Sequence, residues 1–63
     1  MEITVNLDGY TYTAVIDSDC ERIDIARNGI FAGSGTIDSS GAIECDAPLG
    51  EHVYEAIELA MAQ

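Results

Sequence analysis

Hydrophobic and polar residues alternate from the first residues of the chain. Ile3, Val5 and Leu7 interleave with Glu2, Thr4 and Asn6. Asp8-Gly9 follows, a dipeptide suited to a two-residue type I′ turn, which needs positive φ at both positions. Tyr10, Tyr12, Ala14 and Ile16 then interleave with Thr11, Thr13 and Val15. A turn at Asp8-Gly9 sets Leu7 opposite Tyr10, Val5 opposite Tyr12 and Ile3 opposite Ala14. Residues 2–16 are therefore predicted to form a hairpin with one dry and one wet face. The wet face holds Glu2, Thr4, Asn6, Thr11, Thr13 and Val15.

After the polar break Asp17-Ser18-Asp19, two local codes compete over residues 19–27. Ser18-x-x-Glu21 resembles a capping box, and Arg27-Asn28-Gly29 suits a helix end. Against the helix, Ile23 and Ile25 alternate with Arg22 and Asp24, and Asn28-Gly29 is another hairpin dipeptide. The strand reading, over 21–27, is preferred. Residues 30–38 return as a strand, with Gly33, Ser34 and Gly35 marking a bulge, a bend or a close approach by another element. Asp38-Ser39-Ser40-Gly41 reads as a turn with a left-handed glycine, and Ala42–Cys45 as a short strand. Asp46-Ala47-Pro48 is expected to open a helix, with Asp46 as cap and Pro48 in the first turn. Leu49, Val53, Ile57 and Met61 recur every four residues, and Tyr54 and Ala60 widen that stripe. The fold class that follows is α+β: an antiparallel, hairpin-rich sheet of about five strands packed against one C-terminal helix.

Length bounds the chain to one domain over residues 1–63. Its hydrophobic share of 48 % is that of a folded chain. Charge changes the picture more. Twelve acids face two arginines and one histidine, for a net charge of −10. That balance argues against direct nucleic-acid binding, since phosphate contacts need Lys and Arg and only Arg22 and Arg27 exist. No apolar run is long enough for a membrane span, and Met1-Glu2-Ile3-Thr4 lacks the basic and apolar opening of a secretion signal. Cys20 and Cys45 are expected to be buried, reduced thiols of a cytosolic protein, although one bridge is arithmetically possible.

Candidate chemistry is thin. With no C-x-x-C and one histidine, a zinc site is not supported. Asp17-x-Asp19-x-Glu21 begins like an EF-hand loop, but Arg22 stands where glycine is needed and Asn28 where a glutamate closes the loop. Gly33-Ser34-Gly35-Thr36 lacks the lysine and following helix of a P-loop. A Cys–His pair from His52 with Cys20 or Cys45 is conceivable, but surface imidazole and packed thiols are the simpler reading. Acids are so abundant that no carboxylate pair is informative as an acid–base site. We expect no enzyme, no cofactor and no metal.

What remains is the negative shell. Glu51, Glu55 and Glu58 fall at i, i+4 and i+7, on one ridge of the predicted helix. Asp17, Asp19, Glu21, Asp24, Glu44 and Asp46 lie in turns or on wet faces. Carboxylates set several ångströms apart resemble a phosphate backbone and suit a Lys/Arg-lined groove. In size, charge and strand-rich layout ending in one helix, the whole chain resembles the small phage-encoded anti-CRISPR proteins, those acting on type I systems, type I-C included. The resemblance carries no residue motif. It implies a DNA mimic that blocks DNA binding by the CRISPR surveillance complex (Cascade), in the cytoplasm of an infected bacterium. The nine acids from Asp17 to Glu58 named above are the expected contacts, and the protein is expected to be a monomer. The alternative from another class is a small interaction module that binds a partner through a hydrophobic sheet edge.

Overall fold

The computed structural model describes all residues, Met1–Gln63. Strands β1 (Glu2–Leu7), β2 (Tyr10–Ile16), β3 (Arg22–Arg27), β4 (Ile30–Ile37) and β5 (Ile43–Cys45) precede helix α1 (Glu51–Met61). The strands form one antiparallel sheet in chain order, β1-β2-β3-β4-β5. It is an α+β fold of two layers, as the alternation predicts.

The register of the first hairpin is the expected one, with Leu7 opposite Tyr10, Val5 opposite Tyr12 and Ile3 opposite Ala14. Asp8 and Gly9 take φ of 53° and 82°, and Asn28 and Gly29 repeat those values. Both are left-handed pairs whose twist matches that of the strands they join. Residues 22–27 are strand, so the alternation of Ile23 and Ile25 prevails over the capping signal at Ser18. The reason is burial. Ile23 and Ile25 are fully enclosed under the helix together with Ala14, Ile16, Val53 and Ile57. In a lone helical turn at 19–27 the two isoleucines would not share a face.

The glycines of β4 mark both a bulge and a close approach. Ile25 pairs with Gly33 and Ala26 with Phe31, so Ala32 is an extra residue in β4. A Cβ on Gly33 would sit 2.7 Å from Ala47 Cβ, and one on Gly35 would sit 2.6 Å from Cys45 Cα. The segment after β5 folds back over the sheet at Gly33, and β5 itself closes on Gly35, where only glycine leaves room.

Three expectations are corrected. The helix starts at Glu51, with extended Gly50 as its N-cap and no side-chain cap, so Asp46 and Pro48 lie in the preceding loop. That loop is occupied in reaching across β4: Tyr54 Oη donates to Ala47 O at 2.6 Å and holds it down. Second, the thiols are not both buried: Cys20 is exposed and Cys45 half-buried, and both are free. Cys20 sits in the β2–β3 turn with φ of 57°, outside the sheet, and so has no core to enter. Third, Glu58 does not belong to an exposed ridge. It is half-buried, and its Oε2 accepts the Ile43 N–H at 2.9 Å.

Candidate functional site

The acids divide by location according to which face of the sheet they occupy. Ile23 and Ile25 point to the helix, so Arg22 and Asp24 point away from it. By register, Glu2, Val15, Asp24 and Ser34 form one cross-strand row on this open face, and Arg22, Thr36 and Glu44 form the next. Strands lie ~4.8 Å apart, so Glu2 and Asp24, two strands apart, are separated by about 10 Å at the backbone. Two charges at that distance in water repel by only ~0.4 kcal/mol, and salt screens much of this. No two acids are direct cross-strand neighbours, which lets this face stay negative without opening the sheet.

A second group gathers at one end of the sheet, where the β2–β3 and β4–β5 turns meet. The Ile37 N–H donates to Glu21 O at 2.9 Å and ties the two turns together. Asp19, Glu21 and Asp38 surround a shallow depression there, with Asp17 at its margin on the β2–β3 turn. Asp17 and Asp38 also shape their own turns. Asp17 Oδ1 accepts the Glu21 and Arg22 N–H groups at 2.9 and 3.2 Å. Asp38 Oδ1 accepts the Ser40 hydroxyl at 2.6 Å and the Ala42 N–H at 3.0 Å. Donation from the Glu21 and then Arg22 backbone holds the Asp17 carboxyl below its ordinary value. The Ser40 hydroxyl and the Ala42 N–H do the same for Asp38. Both carboxylates therefore stay ionised to lower pH than an isolated aspartate.

Exposed Glu51 and Glu55 stand on α1, which covers the opposite face of the sheet from Asp24 and Glu44. The nine expected contacts thus fall into separate sets. Asp17, Asp19, Glu21, Asp24 and Glu44 belong to the open face and its turn end, Glu51 and Glu55 to the helix side, and Glu58 to the join between β5 and α1. Exposed Asp46 follows β5, its N–H 3.5 Å from Ser34 O, at the border of the open face. Sequence periodicity missed this division for Glu58, because the partner that draws it inward is the backbone N–H of an edge strand. Asp38 and Glu2, absent from the expected contacts, lie with the acidic set.

Little of the charge is neutralised internally. The one ion-pair geometry within 4 Å joins His52 Nε2 to Asp8 Oδ2 at 2.7 Å, with both side chains mostly exposed. Arg27 lies over the Tyr10 ring, 4.8 Å from its centroid, at the far end of the sheet. There Ile30 and Phe31 are 73 % and 67 % exposed and, with Pro48 and Leu49, line a groove of about 390 Å³. The apolar tip and the acidic turn end are thus at opposite ends of the strands.

No three His, Cys, Asp or Glu side chains converge as a metal site. Burial, followed by the adjacent Cys45 thiol, pushes the Tyr54 hydroxyl up to about 12, so it stays a donor to Ala47 O at neutral pH. No helix is long and apolar enough to cross a membrane. No known family model, curated protein or solved structure matches this chain.

Proposed function

We propose that this protein inhibits a nucleic-acid-binding complex by occupying its basic groove as a stand-in for DNA, and that the target is a type I CRISPR Cascade. The observation that carries the reading is the unneutralised set Glu2, Asp17, Asp19, Glu21, Asp24, Asp38 and Glu44 on the open face and its turn end. Its one local cation is Arg22, which has no carboxylate within 4 Å. Anions held about 10 Å apart on a rigid sheet offer a lysine- or arginine-lined channel a regular target. Long-range attraction would steer the encounter, and salt would weaken it steeply.

The division of acids between two faces makes the test sharp. Purified type I-C Cascade is incubated with fluorescent target duplex and increasing amounts of inhibitor. Charge reversal at Asp24 and Glu44 together should abolish competition while the far-ultraviolet dichroism stays unchanged. Reversal at Glu51 and Glu55, on the helix side, should leave most of it. Equal effects of the two double variants, or duplex that still loads at saturating inhibitor, would defeat the proposal. A second reading, in which a partner's strand adds to the sheet, is favoured by the unpaired backbone edge of β1. Affinity that hardly changes between low and high salt would select it.

A further inference from the structure

The two edges of the sheet are built differently. The β5 edge is only three residues long, and its Ile43 N–H is already taken by Glu58. The β1 edge is six residues long and has no such cover. Met1 and Ile16 exchange both backbone hydrogen bonds, at 2.9 and 2.8 Å, which fixes the phase of the ladder. Ile3, Val5 and Leu7 therefore direct their N–H and C=O groups at β2, and Glu2, Thr4 and Asn6 direct theirs outward. β1 contains no lysine, proline or bulge, the usual devices that stop an edge from pairing.

Along the edge strand itself negative charge is sparse, and the nearest exposed helix acid is Glu55, one turn before Leu59. Helix α1 lies closest to β1 among the strands, and His52 reaches Asp8 in the β1–β2 turn. Ala56 and Leu59 follow His52 at i+4 and i+7, on the same side of the helix. None of the three is acidic, and Leu59 is 65 % exposed. Seven residues carry Leu59 about 10 Å back along the helix axis, the length of three strand residues at ~3.3 Å each. With His52 at the β1–β2 turn and Met61 beside Ser40 and Ala42 at the other end of the sheet, α1 runs along the strands and Leu59 falls between the two ends of the edge. Of the twelve acids, only Glu2 lies on β1, and Asp8 at its end is paired.

In place of the monomer expected from the sequence, we infer that β1 pairs antiparallel with β1 of a second copy of this chain, forming a two-fold dimer with a continuous sheet. An axis through Thr4 sets Thr4 against Thr4 of the second copy and Glu2 against Asn6 of the second copy. In that register every outward N–H and C=O of both edges finds a partner. Glu2 meets an amide, not another carboxylate, so like charges are not opposed. Ile3 and Val5 are brought against Val5 and Ile3 of the second copy, with the two Leu59 side chains flanking the axis. A foreign strand would need its own match to this pattern, whereas the chain supplies one already. The inference stands independently of the proposed target, because it concerns the protein alone.

Sedimentation equilibrium and amide exchange test it on the isolated protein. At millimolar concentration and about 1 M salt, where the Debye length falls to ~3 Å, the mass should be twice 6.7 kDa. The amides of Glu2, Thr4 and Asn6 should then be protected. Leu59→Glu, at an exposed position, should weaken the dimer at least about tenfold, a change of ~1.4 kcal/mol. Thr4→Pro, which removes an outward N–H with no internal partner, should do the same, and both variants should keep the fold of the wild type. A mass of one chain under these conditions would overturn the inference. So would a dimer unaffected by both variants, or one whose Thr4 amide exchanges as fast as those of the exposed turns.

Discussion

Replacing Glu58 by alanine should destabilise the fold, and replacing Glu55 should not, although each removes one negative charge from the same helix. Glu58 Oε2 accepts the Ile43 N–H at 2.9 Å across fifteen positions of sequence. It is the hydrogen bond that links α1 to the outer edge of β5. Hydrogen bonds to charged groups contribute ~1.5–3 kcal/mol. Glu58 is only half-buried, so water can replace part of that, and about 1–2 kcal/mol is expected. Total stability for a chain this short is ~3–9 kcal/mol at ~0.05–0.15 kcal/mol per residue. The loss is therefore a large fraction, visible as a fall of roughly 5–15 °C in melting temperature. Glu55 is exposed and bonds to nothing, so Glu55→Ala should stay within ~0.5 kcal/mol of wild type. The relief of general self-repulsion is the same in both variants and cancels in the comparison. Urea titrations followed by far-ultraviolet dichroism give the two values directly, and Glu58→Gln, which keeps an acceptor, should fall between them. Equal stability of the two alanine variants would refute the assignment of Glu58 as a structural residue.

Gly35→Ala should cost about 2–3 kcal/mol, the upper part of the range for overpacking, because the new methyl meets Cys45 backbone at 2.6 Å as well as the Glu44 carbonyl; a urea midpoint equal to wild type would contradict the close approach of β5. Cys20→Gly should stabilise by about 0.5–1 kcal/mol, since Cys20 holds a left-handed φ of 57° that costs an L-residue ~1–2 kcal/mol and costs glycine only extra chain entropy; a lower melting temperature would show that the thiol has a role in the turn. Asp17→Ala should lower stability at neutral pH and lose its effect in acid. The folded Asp17 carboxyl is held below its ordinary value by the Glu21 and Arg22 N–H groups, so its contribution is full above that ordinary value and vanishes as pH falls through the folded one. Melting curves of both proteins from pH 6 down to about pH 2 should converge, and a constant offset would argue against the carboxylate's part in the turn.

The fold was readable because its two hairpins are coded locally. Asp8-Gly9 and Asn28-Gly29 fix the turn geometry, and period-two alternation fixes which side faces the helix. Even the ambiguous stretch at 19–27 is resolved by which reading lets Ile23 and Ile25 share a face. The start of α1 was not readable. A proline two residues after an aspartate imitates a capped helix, but Ala47 between them lies over Gly33, and that contact is long-range. The candidate site was half readable, since strand parity assigns Asp24 and Glu44 to the open face from sequence alone. Helix periodicity likewise groups Glu51, Glu55 and Glu58, yet it carries no information about the unpaired N–H of Ile43 that removes Glu58 from the surface set. Cys20 shows the same limit: small and apolar, it reads as core, but the turn that holds it is set by Asp17 accepting N–H groups four and five residues on.

The distribution of charge follows from where the fold can tolerate it. A helix with three like-charged residues at i, i+4 and i+7 and no lysine is held against its own repulsion by Val53 and Ile57, both fully enclosed. Each full burial of this kind contributes ~1.5–3 kcal/mol, against a few tenths of a kcal/mol for each like-charged pair. Packing therefore wins locally, and the acids need no neutralising partner for the chain to fold. On the open face the corresponding margin comes from spacing, because Val15 separates Glu2 from Asp24 and the other partners of Asp24 and Glu44, Ser34 and Thr36, are uncharged. An acidic surface arranged this way is relieved most by an external cation array, since the two arginines are committed elsewhere or isolated: Arg27 to Tyr10, and Arg22 with no carboxylate within 4 Å. A basic partner would then stabilise the folded protein as well as bind it. Added polyvalent cations such as spermine should accordingly raise the melting temperature of wild type more than that of the Asp24, Glu44 double reversal, and identical shifts would mean that the open face is not where cations collect.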